Sequence, residues 1–179
     1  ADTPNSGGTD AMMAMEEVRD FINQQGNHFS SLDESAETLY QDAVAGHDEP
    51  YIALRGRLET LHRVRTRIAP IDLMGNTLRR YDRHRQTIFL SELLDQPGRS
   101  FQLAYQIGYL EQSRTIDDLI QQAGLGSEAT RIIARVSLTN YFAAALLMPY
   151  GPLLKTAEDT RYDITLLGRR FGTSFEQVC

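Results

Sequence analysis

The chain has 179 residues, a net charge of −6, and 41% hydrophobic against 23% charged side chains, the composition of an ordinary globular domain. No apolar run approaches the roughly 20 residues of a membrane span, no signal-peptide pattern opens it, and its one cysteine, Cys179, admits no internal disulfide. The acidic balance argues against a surface that embraces nucleic acid as a whole. A cytoplasmic protein with no membrane partner is expected. The chain starts at Ala1 and stops at Cys179 within an amphipathic pattern, so a fragment of a longer protein is also expected.

Residues 1–10 (ADTPNSGGTD) read as a flexible linker. Residues 11–53 read as an N-terminal helical segment, and the helical pattern continues to Ala69. Met12, Met15, Val18 and Phe21-Ile22 recur at helical spacing, as do Leu32, Ala36, Leu39 and Ala43. Gly26-Asn27 and the stretch from Gly46 to Pro50 punctuate the helices. A third helix is expected over Tyr51 to Arg65, with Ile52, Leu58 and Leu61 inward. Thr77 to Tyr81 and Thr87 to Leu90 read as two strands of a small antiparallel meander, with turns at Gly75-Asn76 and Asp82-Arg83-His84. Beyond Pro97-Gly98 the pattern predicts helices over Phe101–Gln112, Ser127–Leu147, Gly151–Asp159 and Ile164–Arg170. Phe101, Leu103, Leu110, Leu146 and Leu147 are assigned to the core. The class is α+β, mainly helical with one small sheet.

The basic residues are 17 arginines and a single lysine, Lys155, and nine of the arginines fall between Arg55 and Arg85. Only Glu59, Asp72 and Asp82 oppose them, so this stretch carries +6 inside a −6 chain. Two readings stand level: a solvated face, or an anion site built from planar guanidinium forks that suit phosphate.

Catalytic motifs are missing. The sequence holds no G-x-S-x-G elbow, no Walker loop, no G-x-G-x-x-G and no C-x-x-C. The four histidines show no ligand-like pairing, and His62 and His84 sit among arginines. No metal site is expected.

One helix carries the informative pattern. Phe101-Gln102-Leu103-Ala104-Tyr105-Gln106-Ile107-Gly108-Tyr109-Leu110 resembles the F-x-L-A-H-E-x-G-H-L helix of ImmA/IrrE-type zinc metallopeptidases. In such a helix two histidines one turn apart hold zinc and the Glu is the general base. Tyr105, Gln106 and Tyr109 stand in those places here. Asn140-Tyr141-Phe142-Ala143-Ala144-Ala145-Leu146-Leu147-Met148-Pro149 resembles a second stretch of the same peptidases, whose third ligand is a Glu one turn earlier. Val136, Ser137 and Leu138 occupy that turn. The resemblance implies a degenerate zincin-like core that has kept its apolar frame and lost its zinc chemistry.

Those stretches, the hairpin Arg79-Arg80-Tyr81-Asp82-Arg83-His84-Arg85 and the tail from Arg161 to Cys179 together resemble the short-chain fatty acyl transcriptional regulators of actinobacteria. Residues 54–179 then form a degenerate, metallopeptidase-like effector-binding domain. The resemblance implies a non-enzymatic sensor of acyl-CoA, with coenzyme A or its thioester as effector rather than cofactor. It also implies a homodimer that meets DNA only through a helix-turn-helix missing from this chain. Coenzyme A carries several phosphates, which Arg79, Arg80, Arg83, Arg169 and Arg170 are expected to hold. A short acyl group needs a small apolar pocket, expected between Tyr105, Gln106, Tyr109, Tyr141 and Phe142. The bland alternatives are half-buried core tyrosines and arginines that only favour a helix end. Rival functions are a ligand-free dimerisation module using the Met-rich helix, a remodelled metallopeptidase, and direct nucleic-acid binding by the arginine stretch.

Overall fold

The computed structural model describes residues 6–159 and 161. Three helices open the chain: α1 (Ser6–Gln24), α2 (Ser30–Leu39), which runs on through a π-helical turn (Tyr40–Val44), and α3 (Pro50–His62). Strand β1 (Arg65–Ala69), a short α4 (Ile71–Met74), and strands β2 (Arg79–Asp82) and β3 (Thr87–Ser91) follow. The chain then forms α5 (Gln96–Glu111), α6 (Ser113–Ala123), α7 (Glu128–Leu147) and α8 (Tyr150–Asp159). The molecule is mainly helical with one small sheet, as expected. The helix expected over Ile164–Arg170 lies outside the described residues.

The sheet differs from the expected meander. β2 and β3 do form an antiparallel hairpin, but β1 adds to the far side of β3 in parallel, so the order is β1-β3-β2 and the sheet is mixed. The pattern from Ala11 had placed residues 65–69 in a helix. Two local facts end that helix earlier. Arg63 adopts a left-handed conformation (φ 57°) that closes α3, and Thr66 and Ile68 are β-branched, which suits a pleated strand.

Other boundaries move for equally physical reasons. α1 begins at Ser6, inside the stretch expected to be a linker. α5 begins at Gln96 because proline is tolerated in a first helical turn, and the Asp95 carboxylate caps it by accepting the Gly98 N–H at 2.8 Å. α6 is an element that the sequence reading did not assign; Ile116 and Ile120, one turn apart, are its buried face, and Gly124 (φ 63°) closes it with the left-handed backbone glycine tolerates best.

One core holds these elements together. α5 and α7 lie at its centre, with Leu103, Ala104 and Ile107 of α5 against Leu138, Phe142, Leu146 and Leu147 of α7. Phe101 and Leu110 pack at its margin. Val18 and Phe21 of α1, Leu32, Ala36 and Leu39 of α2, Leu54 and Leu58 of α3, and Ile88 and Leu90 of β3 complete it. Ile52 and Leu61, expected inward, are exposed, because the buried stripe of α3 runs through Leu54 and Leu58 instead. Met12 and Met15 are likewise exposed, while Ala14 and Val18 face the core. No single helix is long and apolar enough to cross a membrane.

Candidate functional site

The site is built where the hairpin crosses α5, and strand geometry decides which arginines reach it. Successive side chains of a strand point to opposite faces. Arg79 pairs across the ladder with buried Leu90, so it faces inward; Arg80 pairs with Phe89 and faces outward. Arg79 therefore meets α5. Arg80 instead lies over the Phe89 ring at 5.2 Å and donates to the carbonyl oxygen of Leu73 at 3.3 Å. Arg83 leaves the strand at the turn, where the Asp82 carboxylate accepts the Arg85 N–H at 3.0 Å. That hydrogen bond, chiefly, holds the half-buried Asp82 carboxyl below its ordinary pKa.

On the helix, Tyr105 and Tyr109 are one turn apart and so share a face. The result is a two-rung ladder. The Arg79 guanidinium lies 4.3 Å from the centroid of the Tyr105 ring, and that of Arg83 lies 5.6 Å from the Tyr109 ring. Both are cation–π contacts, and Arg83 also donates to the Tyr109 hydroxyl. Arg79 is fixed further by two glutamines. Its Nε donates to Gln102 Oε1 at 3.2 Å and its Nη1 to Gln106 Oε1 at 2.7 Å.

Arg79 is electrostatically unusual. Burial pushes its pKa down, only partly offset by Tyr105, and among the described residues no carboxylate lies within ion-pair distance of it. Gln106 is fully buried, and its Nε2 has no hydrogen-bond partner. A buried amide donor left unsatisfied costs about 1–3 kcal/mol. The face of α5 that carries metal ligands in the peptidases it resembles here carries a fixed guanidinium and an idle donor. Beside the second rung opens a cavity of about 520 Å³, lined by Arg83, Tyr109, Leu110, Ile116, Asp117 and Arg135 among others. Arg135 and Asp117 form an ion pair across it.

Tyr141 and Phe142, expected to share this cleft, are placed elsewhere. The Tyr141 hydroxyl donates to the Asp33 carboxylate (2.8 Å) and accepts the Phe29 N–H (3.3 Å), which pins α7 to the start of α2. Burial, with Asp33 beside it, pushes this phenol up to about 12. Phe142 is fully buried and packs on Gly108. The two residues are adjacent on α7 and splay to different sides of it. Arg169 and Arg170 lie outside the described residues.

Two groups were not anticipated from the sequence. Gln102 was one, although it precedes Gln106 by one turn and so shares its face. The other is a polar hub at the end of α5. Glu111 accepts from Arg57 Nε and Nη2, each at 2.9 Å, and lies 2.8 Å from His62 Nε2. Arg57 also donates to Asp42 at 3.1 Å. Burial pushes the Glu111 carboxyl up, but Arg57 and His62 together outweigh it and leave the pKa below 4.5. The four residues lie on three separate segments, and nothing in their spacing links them.

Zinc does not fit the residues present. Tyr105, Gln106 and Tyr109 replace two imidazoles and a carboxylate, and on α7 Val136, Ser137 and Leu138 supply no third ligand. The Arg79 guanidinium on Gln106 would repel a second cation. Among the described residues no group of three or more His, Cys, Asp or Glu could hold a metal ion.

Fold and site together define a metallopeptidase-like scaffold whose described residues offer no set of metal ligands. Residues 60–179 match the IrrE N-terminal-like domain, peptidase family M78, and the chain belongs to that family. It is 35% identical over 173 residues to the HTH-type transcriptional regulator RamB of Mycobacterium tuberculosis, covering 97% of this chain and 36% of the relative. It is 36% identical to the HTH-type transcriptional regulator PrpR of the same organism (93% and 34% covered). With a propionyl-CoA carboxylase regulator of Cereibacter sphaeroides it shares 33% identity over 164 residues (91% and 34% covered). A solved structure of a Mycobacterium tuberculosis transcriptional regulator superposes with a TM-score of 0.84 at 34% identity, covering 93% of this chain and 50% of that one. The chain spans about a third of the length of these curated relatives. They are named as regulators, although the domain is that of a peptidase family.

Proposed function

We propose that this chain is the effector-sensing domain of a transcription regulator and that it binds a short-chain acyl-CoA where the β2–β3 hairpin meets α5. It is not an enzyme. The observation that carries the reading is Arg79, a guanidinium held without a carboxylate partner over Tyr105 and against Gln106. A half-buried charge without a counter-ion gains from acquiring one, so this site suits an acceptor from outside the chain. The names of the relatives support regulation, and that of one supports acyl thioester metabolism.

The ligand divides along the ladder. Its thioester end enters beside Tyr105 and Gln106, at the rung with the orphan donor. Its phosphates need several fixed cations, and Arg83 and Arg135 flank the cavity beyond Tyr109. Leu110 and Ile116 offer the same cavity an apolar wall. Binding biases how DNA-reading modules outside this chain are presented in a dimer, by no more than the ligand's differential affinity for the two arrangements.

The test is thermal unfolding of the chain with coenzyme A, acetyl-CoA, propionyl-CoA and longer thioesters. A ligand at about 100 times its Kd adds roughly 2.7 kcal/mol, a rise of several degrees in Tm. Arg83→Ser should shrink that rise for every thioester. No rise with any thioester would overturn the reading.

A further inference from the structure

Resting on the dimer that this reading calls for, though not on its ligand, we infer that two copies of this chain meet through α4: an apolar surface centred on Leu73 packs on its own counterpart across a two-fold axis. The surface lies at the end of the sheet opposite the hairpin turn. Four hydrogen bonds gather it. The Ser91 N–H donates to the Leu78 carbonyl oxygen and the Glu92 N–H to that of Ala69, each at 3.0 Å. The Ile71 N–H donates to Glu92 Oε1 at 2.9 Å, and Arg80 Nη1 to the Leu73 carbonyl oxygen at 3.3 Å. The end of β1, α4, the start of β2 and the end of β3 are thereby drawn together, and Ile71, Leu73, Leu78 and Leu93 are left outside. These four are between 44% and 66% exposed, whereas Met74, which anchors α4, is 4% exposed. A single exposed leucine is ordinary; a group of them rimmed by polar residues marks a contact surface.

The charges around the group select the occupant. Asp72 precedes Leu73 on α4, and Arg80 reaches the Leu73 backbone from β2, so both adjoin the same residue. Among the described residues neither belongs to an ion pair. A polyanion such as DNA would meet Asp72 and Glu92 here, and a polycation would meet Arg80. A second copy satisfies both signs. In a two-fold interface residue i meets j and j meets i, so an axis through Leu73 sets Arg80 of each copy against the partner's Asp72 while the leucines close the middle. The mixed rim also fixes the register, since a shifted copy brings like charges together. The contact is made by side chains of α4 and its neighbours, and it adds no strand to the sheet.

The experiment is sedimentation velocity on this chain over micromolar concentrations, with no thioester present. The inference predicts a reversible shift from the mass of one chain to that of two. Leu73→Asp should hold the chain at one mass with its circular dichroism unchanged, since that side chain is exposed. Asp72→Arg and Arg80→Asp should each weaken the dimer roughly tenfold or more, because each sets like charges together twice across the axis. Mixed one to one, those two variants should recover it, because every facing pair is then opposite in sign. A single mass at every concentration would overturn the inference. A dimer that Leu73→Asp and Asp72→Arg leave intact would overturn the placement at α4. Two variants that stay apart when mixed would overturn the pairing of Arg80 with Asp72. None of these outcomes bears on the thermal test of acyl-CoA binding, so the two readings fail separately.

Discussion

Gly108 shows how much one absent methyl group contributes to this fold. A Cβ built there would lie 2.7 Å from Phe142 Cδ1 and 3.3 Å from Thr139 Cγ2, so α5 and α7 meet this closely only over glycine. Gly108→Ala should destabilise the chain by about 1–3 kcal/mol through overpacking, read as a lower midpoint in urea with an unchanged slope. Glu111 makes the pH prediction. Its folded pKa is depressed, so its contribution to stability is present above the unfolded value near 4.5 and disappears as pH falls through the folded one. Glu111→Gln should cost about 2–3 kcal/mol at neutral pH, less than the roughly 3–5 of a fully buried pair, and should flatten the acid limb of Tm against pH. The sequence made Gly108 legible, because it sits inside the peptidase-like pattern with Tyr105 and Tyr109. It could not make Glu111 legible. Its cations, Arg57 and His62, come from another helix 49 or more residues away, and no periodicity encodes that meeting.

At the scale of elements, helix ends were the least readable part. Ser127 caps α7, its hydroxyl accepting the Thr130 N–H at 3.0 Å; Ser127→Ala should cost about 1 kcal/mol, measured by chemical denaturation. That start was visible from sequence because a serine precedes the apolar run. α5 was read as starting five residues too late, since Pro97-Gly98 signals a turn as readily as a first helical turn. β1 was hidden for a different reason: Arg65 and Arg67 are good helix formers, and only the parallel pairing with β3 makes the segment a strand. The same ladder fixes which hairpin arginine faces α5. Sequence could name Arg79 and Arg80 together, but only the register separates the one at the site from the one behind it.

Across the whole molecule, one buried cluster runs from Val18 to Leu147. Glu17 of α1 reaches over to the start of α7, where it accepts the Gly126 N–H at 2.8 Å and the Thr130 hydroxyl at 2.9 Å. Tyr141 ties the same helix to α2. A chain cut back to residues 54–179 would therefore expose the side of α7 that α1 and α2 cover. It should lose cooperative unfolding and bind the hydrophobic dye ANS, although it retains every residue of the proposed site. Cooperative melting of that piece would show that the two opening helices are dispensable to the core.

Among the described residues the mixed sheet has two unpaired edges, β1 on one side and β2 on the other. Unpaired edges invite strands from other molecules, and charged side chains on them are a recurrent deterrent. Arg65 and Arg67 lie exposed on β1, and Arg80 is exposed on β2. Part of the +6 stretch thus lies where charge deters strand addition, away from the face that meets α5. Replacing Arg65 and Arg67 with valine should leave the fold's thermal midpoint nearly unchanged while making concentrated solutions bind thioflavin T over days.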